Sequence, residues 1–438
     1  MALFTVFTGL LIAAFAWLGL RPGITDAPAT AWLVWGMAAA GYLGAAFVVL
    51  RKSNTRIPLW AVLATALLLR CAAWSVPPKF TTDHYRYIWD ARVAAAGINP
   101  FRYAPADPAT IPLRHAPGNA VFNKINHKQV PTIYGPAAQI LFGAARAALG
   151  EDPARWRIIF FGADAATVLL IAALLGALGL PRAWCAVYAL HPLVLLDFNA
   201  NLHLDAVLTA CIAGSILCAV RKQIIPAALV LAAAALMKYF PLLFLPLVAG
   251  LATRDIQSMR ARVARMGLCA AVFGAAVCAG YLPYMRGGVD VFAGLKSFSR
   301  EFTATAWSPY WLAARAGGRG FADALMAAAL CASALWCLAP GSAAARLQRA
   351  FWVAAALVLF TPVQRPWYFA WALPFCCVRA WWSWLALGCL ALLTYSLFIN
   401  FEYLHIVKPV QYFVFYAALA IELSLAVQTR ASAEAARD

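Results

Sequence analysis

The sequence predicts an all-α polytopic membrane protein: a bundle of about 11–14 transmembrane helices whose first outer loop is large and carries interfacial helices. Three observations predict it. The chain of 438 residues is 64% hydrophobic and only 12% charged. Its apolar runs recur at close to the ~20 residues that cross a ~30 Å hydrocarbon layer. One stretch near the start, "FTTDHYRYIWDARVAAAGINPFRYAP" (80–105), breaks this pattern with acidic, basic and aromatic residues.

Taken in order, the apolar segments lie at about 2–20, 30–50 and 57–75, then at 132–149, 157–178, 181–197 and 203–220. A proline-broken pair follows at 224–252, and further segments at 266–284, 321–338, 350–364, 366–380, 382–399 and 410–427. Residues 2–20 lack a basic leader and a small-residue cleavage site, so they read as a retained span. Residues 1–430 read as one transmembrane domain, with 76–130 as its outer cap and 431–438 as a cytoplasmic tail.

Lys and Arg outnumber Asp and Glu by 35 to 17, a net charge of +18. Most of this excess sits in short loops: "RKSNTR" (51–56), "RKQ" (221–223), "TRDIQSMRARVAR" (253–265) and "ARLQR" (345–349). Positive charge in short loops marks the cytoplasmic side and speaks for membrane lipid headgroups or a lipid-linked phosphate as partners, not for nucleic acid. Both termini then face the cytoplasm, and 76–130, 197–205, 285–320, 361–368 and 400–409 share the outer face. Three apolar segments separate the first of these from the second, and an odd number of crossings would put 197–205 inside. Either 132–149 or 181–197 is therefore expected to be re-entrant or a half-span.

All eleven cysteines fall in apolar segments without metal-ligand spacing and read as small packing residues. The sequence contains no HExxH, P-loop, GxGxxG or GxSxG pattern, which weighs against ATP-driven transport and hydrolase chemistry.

The ionisable residues that interrupt the apolar pattern are the candidates for chemistry. Asp83, Arg86 and Asp90 share one helical face, with Tyr87 beside them, and read either as an interfacial anchor or as part of a site. "GINPF", which includes Asn99, ends that helix, and "INHKQVPTIYGP" (125–136) brings His127, Lys128 and Tyr134 back to the membrane edge. More than fifty polar, proline-rich residues are too many for a connector, and they fit a folded cap over a cavity. His203 and Asp205 stand at a helix start, where Asp serves as an N-cap or as a functional group. Lys238, in "LMKYFPLLFLP", is a snorkelling side chain or a phosphate ligand at a broken helix. Arg365 sits beside Trp367 and Tyr368, which suit a phosphate and a sugar or else an interfacial belt. Asp164, flanked by apolar residues, reads as a helix–helix polar contact.

Together the blocks "DHYRYIWDARVAAAGINPFRYAP", "VPTIYGPAAQILF", "HPLVLLDFNANLHLDAV", "LMKYFPLLFLP" and "PVQRPWYFAW", in this order across most of residues 80–375, resemble a known family. It is the GT-C superfamily of glycosyltransferases that use polyprenyl-phosphate sugars, in its bacterial mannosyltransferase-like branch. The resemblance implies a GT-C-like helical bundle in a bacterial inner membrane, with the active site facing the periplasm. It implies transfer of a hexose, mannose in this branch, from a polyprenyl-phosphate donor to a lipid or glycan acceptor, with inversion. Asp83 matches the essential acidic residue of the first outer loop and takes the role of general base. Arg86, Lys238 and Arg365 would receive the donor phosphate. Tyr87, Asp90, Asn99, Tyr134, His203, Asp205, Trp367 and Tyr368 would orient sugar and acceptor.

This chain departs from the family pattern at Ala91 (commonly Gly), Phe101 (Tyr) and Gly135 (Pro), which puts the identity of donor and acceptor more in question than the chemistry. Some relatives use a divalent metal. Asp83 and Asp90 could bind one weakly, but the sequence offers no compact oxygen-ligand set and none is assigned. A transporter or flippase of a lipid-linked glycan is the rival class; it predicts duplicated halves, and no second copy of the Asp83 loop is present.

Overall fold

The computed structural model describes residues 1–20, 28–51, 57–78, 80–114, 120–301, 307–398 and 401–435. Most of the predicted loop 51–56 and the last three residues of the predicted tail lie outside the described residues. The regular structure of the described residues is all helical, with no strand. Seven helices are long and apolar enough to cross a membrane, among them Ala2–Leu20 (α1), Pro153–Ala177 and Met259–Tyr284. One further pair, Arg182–Ala189 and Pro192–Ala200, is bent by 59°. Five shorter apolar helices, such as Leu59–Trp74 and Asp205–Val220, complete the bundle. The protein is thus a polytopic all-α membrane protein, and many of the expected spans are shortened or broken.

The breaks follow from local chemistry. A proline lacks an N–H and clashes with the preceding turn. Pro192 opens the second half of the bent pair, which continues as a π-helical stretch over Leu195–Ala200. Pro241 lies in a 3₁₀ turn, Phe240–Phe244, that separates Ile224–Ala235 from Leu245–Ala252. These interruptions fall where the chain lines or backs a cavity, the setting in which irregular backbone is tolerated at membrane depth.

Buried charges lock the first half together. Arg70, in Leu59–Trp74 (α2), lies 2.9 Å from Asp164, and Asp164 also accepts hydrogen bonds from Tyr188 at 2.8 Å and Asn199 at 2.7 Å. Asp164 is fully buried, and every partner comes from another helix, so it acts as the expected polar contact between helices. Arg157 donates to the carbonyls of Trp74, Val76 and Ala200.

Arg157 stands near the start of Pro153–Ala177 (α5), and it places the end of α2 and the end of the bent pair at the same level. Asp83–Ala95 (α3) and Pro136–Leu149 (α4) lie there too. α4 enters with Gly135 donating to the Met237 carbonyl, and it leaves at Glu151, which pairs with Arg92 of α3. Along its length α4 packs on α3, with Phe142 stacked on Tyr87 at 4.7 Å. α4 thus joins the chain after Ala235 at its start and α3 at its end. The bent pair runs the length of α5, from Arg182 beside Gly176 to Ala200 beside Arg157.

Candidate active site

Three of the five segments predicted to share one face, 76–130, 285–320 and 361–368, meet with residues 131–134 and 238–240 around a cavity of about 530 Å³, whereas 197–205 and 400–409 do not line it. α3 supplies its floor. Asp83 is the first residue of that helix, where the helix dipole favours a negative charge, and its N–H donates to the Thr81 hydroxyl at 3.2 Å. The carboxylate faces the cavity with 29% of its side chain exposed. Burial beneath the cap raises its pKa above the usual carboxylate value. Lys238 and Arg365 pull it back, Asp205 raises it further and His127 lowers it.

Among the sequence-predicted residues, the cavity wall brings together Asp83, Arg86, Tyr134, Lys238, Arg365, Trp367 and Tyr368. Three cations thus share one cavity with one carboxylate. Arg86 is held by Asp90 at 2.8 Å and by the Val130 carbonyl at 3.0 Å. Lys238 is held by Asp205 at 2.6 Å and lies 5.7 Å from the ring centres of both Tyr368 and Trp371. The aromatic wall is itself stacked: Tyr368 lies on Trp371 at 4.2 Å. Such a surface suits the apolar face of a sugar beside a phosphate.

The other predicted residues stand behind the wall. Asp90 is 1% exposed and accepts from Thr132 at 2.5 Å and Gln139 at 3.3 Å, as well as from Arg86, so it ties α3 to the returning chain. Tyr87 is buried, and its hydroxyl accepts from the Leu204 N–H at 3.3 Å. Asn99 caps its own turn through the Phe101 N–H and reaches the Tyr284 carbonyl at 2.8 Å. Asp205 is fully buried with both oxygens engaged, one by Lys238 and one by Trp371 at 2.6 Å. His203 is fully buried beneath Trp367, their ring centres 3.8 Å apart.

A shared cation site between Asp83 and Asp90 does not fit this arrangement. Asp90 is committed to Arg86, Thr132 and Gln139, and among the described residues no group of three His, Cys, Asp or Glu is placed to hold a metal ion.

Two parts of the wall were not singled out as site residues. His127 lines the cavity with a left-handed backbone, φ 52°. Leu295 and Phe298 close one side from Ala293–Glu301 (α6), a helix whose Gly294 sits on the carbonyls of Pro131 and Thr132. The signal for α6 was its strong segregation of apolar from charged residues, and the signal for His127 was its place in the polar return of the loop.

The sequence itself supplies the deciding comparison. Residues 1–254, more than half of the chain, match the family described as alpha-(1->6)-mannopyranosyltransferase, N-terminal domain. The protein belongs to this mannosyltransferase family. The family is of GT-C type, in keeping with the all-helical membrane fold. No curated protein matches the sequence. Within this mannosyltransferase the matched part carries Asp83, Arg86, Tyr134 and Lys238, whereas α6, Arg365, Trp367 and Tyr368 come from the remainder.

Proposed function

We propose that the enzyme moves mannose from a polyprenyl-phosphate donor to a hydroxyl of a lipid or glycan acceptor, at the outer face of a bacterial inner membrane. Asp83 is the general base. It accepts the acceptor's proton as that oxygen attacks the anomeric carbon, and the bond from that carbon to the phosphate oxygen breaks with its electron pair leaving on phosphate. Displacement from the opposite face inverts the anomeric centre, so the α-linkage in the family's description calls for a β-linked donor.

The observation that carries this reading is that, among the described residues, one carboxylate, Asp83, lines the cavity together with Arg86, Lys238 and Arg365 and the aromatic pair Trp367 and Tyr368. The leaving group is a phosphate, already stable as an anion, so the step needs cations and no general acid. A carboxyl whose pKa is raised by burial is a better base than a free one.

The outward orientation is supported by charge. Asp205–Val220 runs away from the cavity to an end where Arg221, Lys222 and Arg254 gather, with Lys222 2.7 Å from Asp255 and Arg254 bonded to the Val220 carbonyl. Basic residues concentrated at the end opposite the cavity support a cytoplasmic position for that end.

The test is transfer of radiolabel from polyprenyl-phosphate mannose to a membrane acceptor by purified protein in lipid. Label in a new product with the wild type and not with Asp83→Asn supports the reading. Equal transfer by both would overturn the role of Asp83. Intact donor in both, together with donor movement across sealed vesicles, would favour the flippase.

A further inference from the structure

The end of the molecule away from the cavity carries a second recess, a groove of about 680 Å³. Pro28–Leu50 fixes its level. Near the start of that helix Trp35 packs edge-on against Phe80, a residue of the cavity wall, with ring centres 6.0 Å apart. Arg51 continues the last turn of the same helix, its N–H donating to the Phe47 carbonyl, and lies about 24 Å further along at the rise of an α-helix. The bent pair agrees with this placement: Arg182 lies beside Gly176 at the far end of α5, and Trp184 lines the groove.

Four segments build the groove. Phe47 and Arg51 come from the end of Pro28–Leu50, Trp184 from the turn Arg182–Cys185, Gln348 from Ala343–Phe360, and Arg379 and Trp382 from the chain that opens Trp382–Leu390. Phe47 and Trp382 face each other with ring centres 6.3 Å apart, yet stay 54% and 36% exposed. Exposed aromatics of this kind belong to the edge of the bilayer, where lipid covers them.

The charge in the groove is of one sign. Among the described residues neither Arg51 nor Arg379 takes part in an ion pair. Arg379 lies over Trp381, its guanidinium carbon 4.4 Å from the ring centre, a contact that holds the plane of the group and leaves its edge N–H donors for a ligand. Glu422 does not line the groove. It accepts from the N–H groups of Trp382 and Ser383 at 3.1 and 3.3 Å and from the Ser383 hydroxyl at 2.8 Å. A ligand here must bring acid oxygens for two guanidinium groups and an apolar chain for two open aromatic rings. A soluble phosphate ester lacks the second, and a lipid without net charge leaves the cations uncompensated.

We propose that this groove holds one anionic phospholipid of the adjacent leaflet, with its phosphodiester on Arg51 and Arg379 and an acyl chain along Phe47 and Trp382. The lipid joins Pro28–Leu50, from the part of the chain that matches the family, to Trp382–Leu390, from the remainder, and so stabilises their contact. The site is separate from the cavity and does not depend on the role of Asp83.

The experiment titrates full-length protein, delipidated in a neutral detergent, with dioleoyl phosphatidylglycerol or dioleoyl phosphatidylcholine. Native mass spectrometry counts the bound lipid, and the unfolding temperature is measured in parallel. The wild type is expected to take one phosphatidylglycerol about 10-fold more tightly than phosphatidylcholine and to unfold at a higher temperature with it. Arg51→Gln combined with Arg379→Gln should remove that preference. Arg51→Gln alone, at an exposed helix end, should weaken it and decides the matter if Arg379→Gln fails to fold. Arg260→Gln combined with Arg265→Gln removes the same charge from exposed positions outside the groove and should leave the preference intact. No preference in the wild type, a preference kept by the groove variant, or an equal loss in the control pair overturns the site. Displacement of the lipid by excess inorganic phosphate assigns the arginines to a soluble anion and overturns the phospholipid.

Discussion

Lys238 Nζ lies 2.6 Å from one oxygen of Asp205, and Trp371 Nε1 donates to the other oxygen at the same distance. The cation that faces the cavity is therefore held from behind by a carboxylate that never reaches it. Removing one partner of such a buried pair leaves an uncompensated charge, which costs about 3–5 kcal/mol. Asp205→Ala is expected to destabilise the protein on that scale in thermal or denaturant unfolding in detergent. Asp205→Asn, which keeps an oxygen for Lys238, should lose less. Unchanged stability in Asp205→Ala would contradict this account of the pair.

Asp83 gives a stability signature independent of activity. Burial raises its pKa in the folded protein, so the folded state holds the proton more tightly than the unfolded chain, whose Asp titrates near about 4. The contribution is complete below that value and is lost as pH rises through the folded pKa. Asp83→Asn should therefore unfold at a higher temperature than the wild type at neutral pH, with the gap closing under acid conditions. A gap that widens toward low pH would show that the carboxylate is stabilised in place.

Arg365→Ala should reduce kcat by about 10²-fold, with a smaller change in donor KM, if its charge meets the phosphate chiefly as that group leaves. Stopped-time assays over a donor series separate the two parameters. A pure KM effect would assign Arg365 to ground-state binding.

Gly135 stands at the start of α4, one residue before Pro136. Its N–H donates to the Met237 carbonyl at 3.2 Å, and a Cβ there would meet the Leu236 carbonyl oxygen at 2.3 Å. Gly135→Ala should shift α4 off its seat and cost about 1–3 kcal/mol, and Gly135→Pro more, because it also removes the donor. Thermal unfolding checks both. Tolerance of proline would mean that α4 enters differently in solution.

Much of this was legible from residue chemistry. A polar cluster in an apolar chain located α3, and the residues whose side chains meet around the cavity are those that interrupt apolar runs: Asp83, Lys238 and Arg365. What the sequence could not rank was which charges face outward. Asp83 and Asp90 share a helical face, yet one opens to the cavity and the other is bound by Thr132 and Gln139, partners some forty residues or more away. Asp205 looked like a cap or a ligand and is an anchor for Lys238. Arg70 was passed over inside an apolar run because its partner, Asp164, lies on another helix. His203 read as a polar residue near a site; only the meeting of three separate segments puts it between Asp83 and Asp197.

The cavity is assembled from two stretches of chain, one inside and one outside the part that matches the family. Asp83, one arginine and the lysine come from the matched part, whereas the tryptophan, the tyrosine, the second arginine and the apolar flank of α6 come from beyond it. Neither stretch encloses the cavity alone, so its charges and its aromatic wall are brought together only when both have folded against each other.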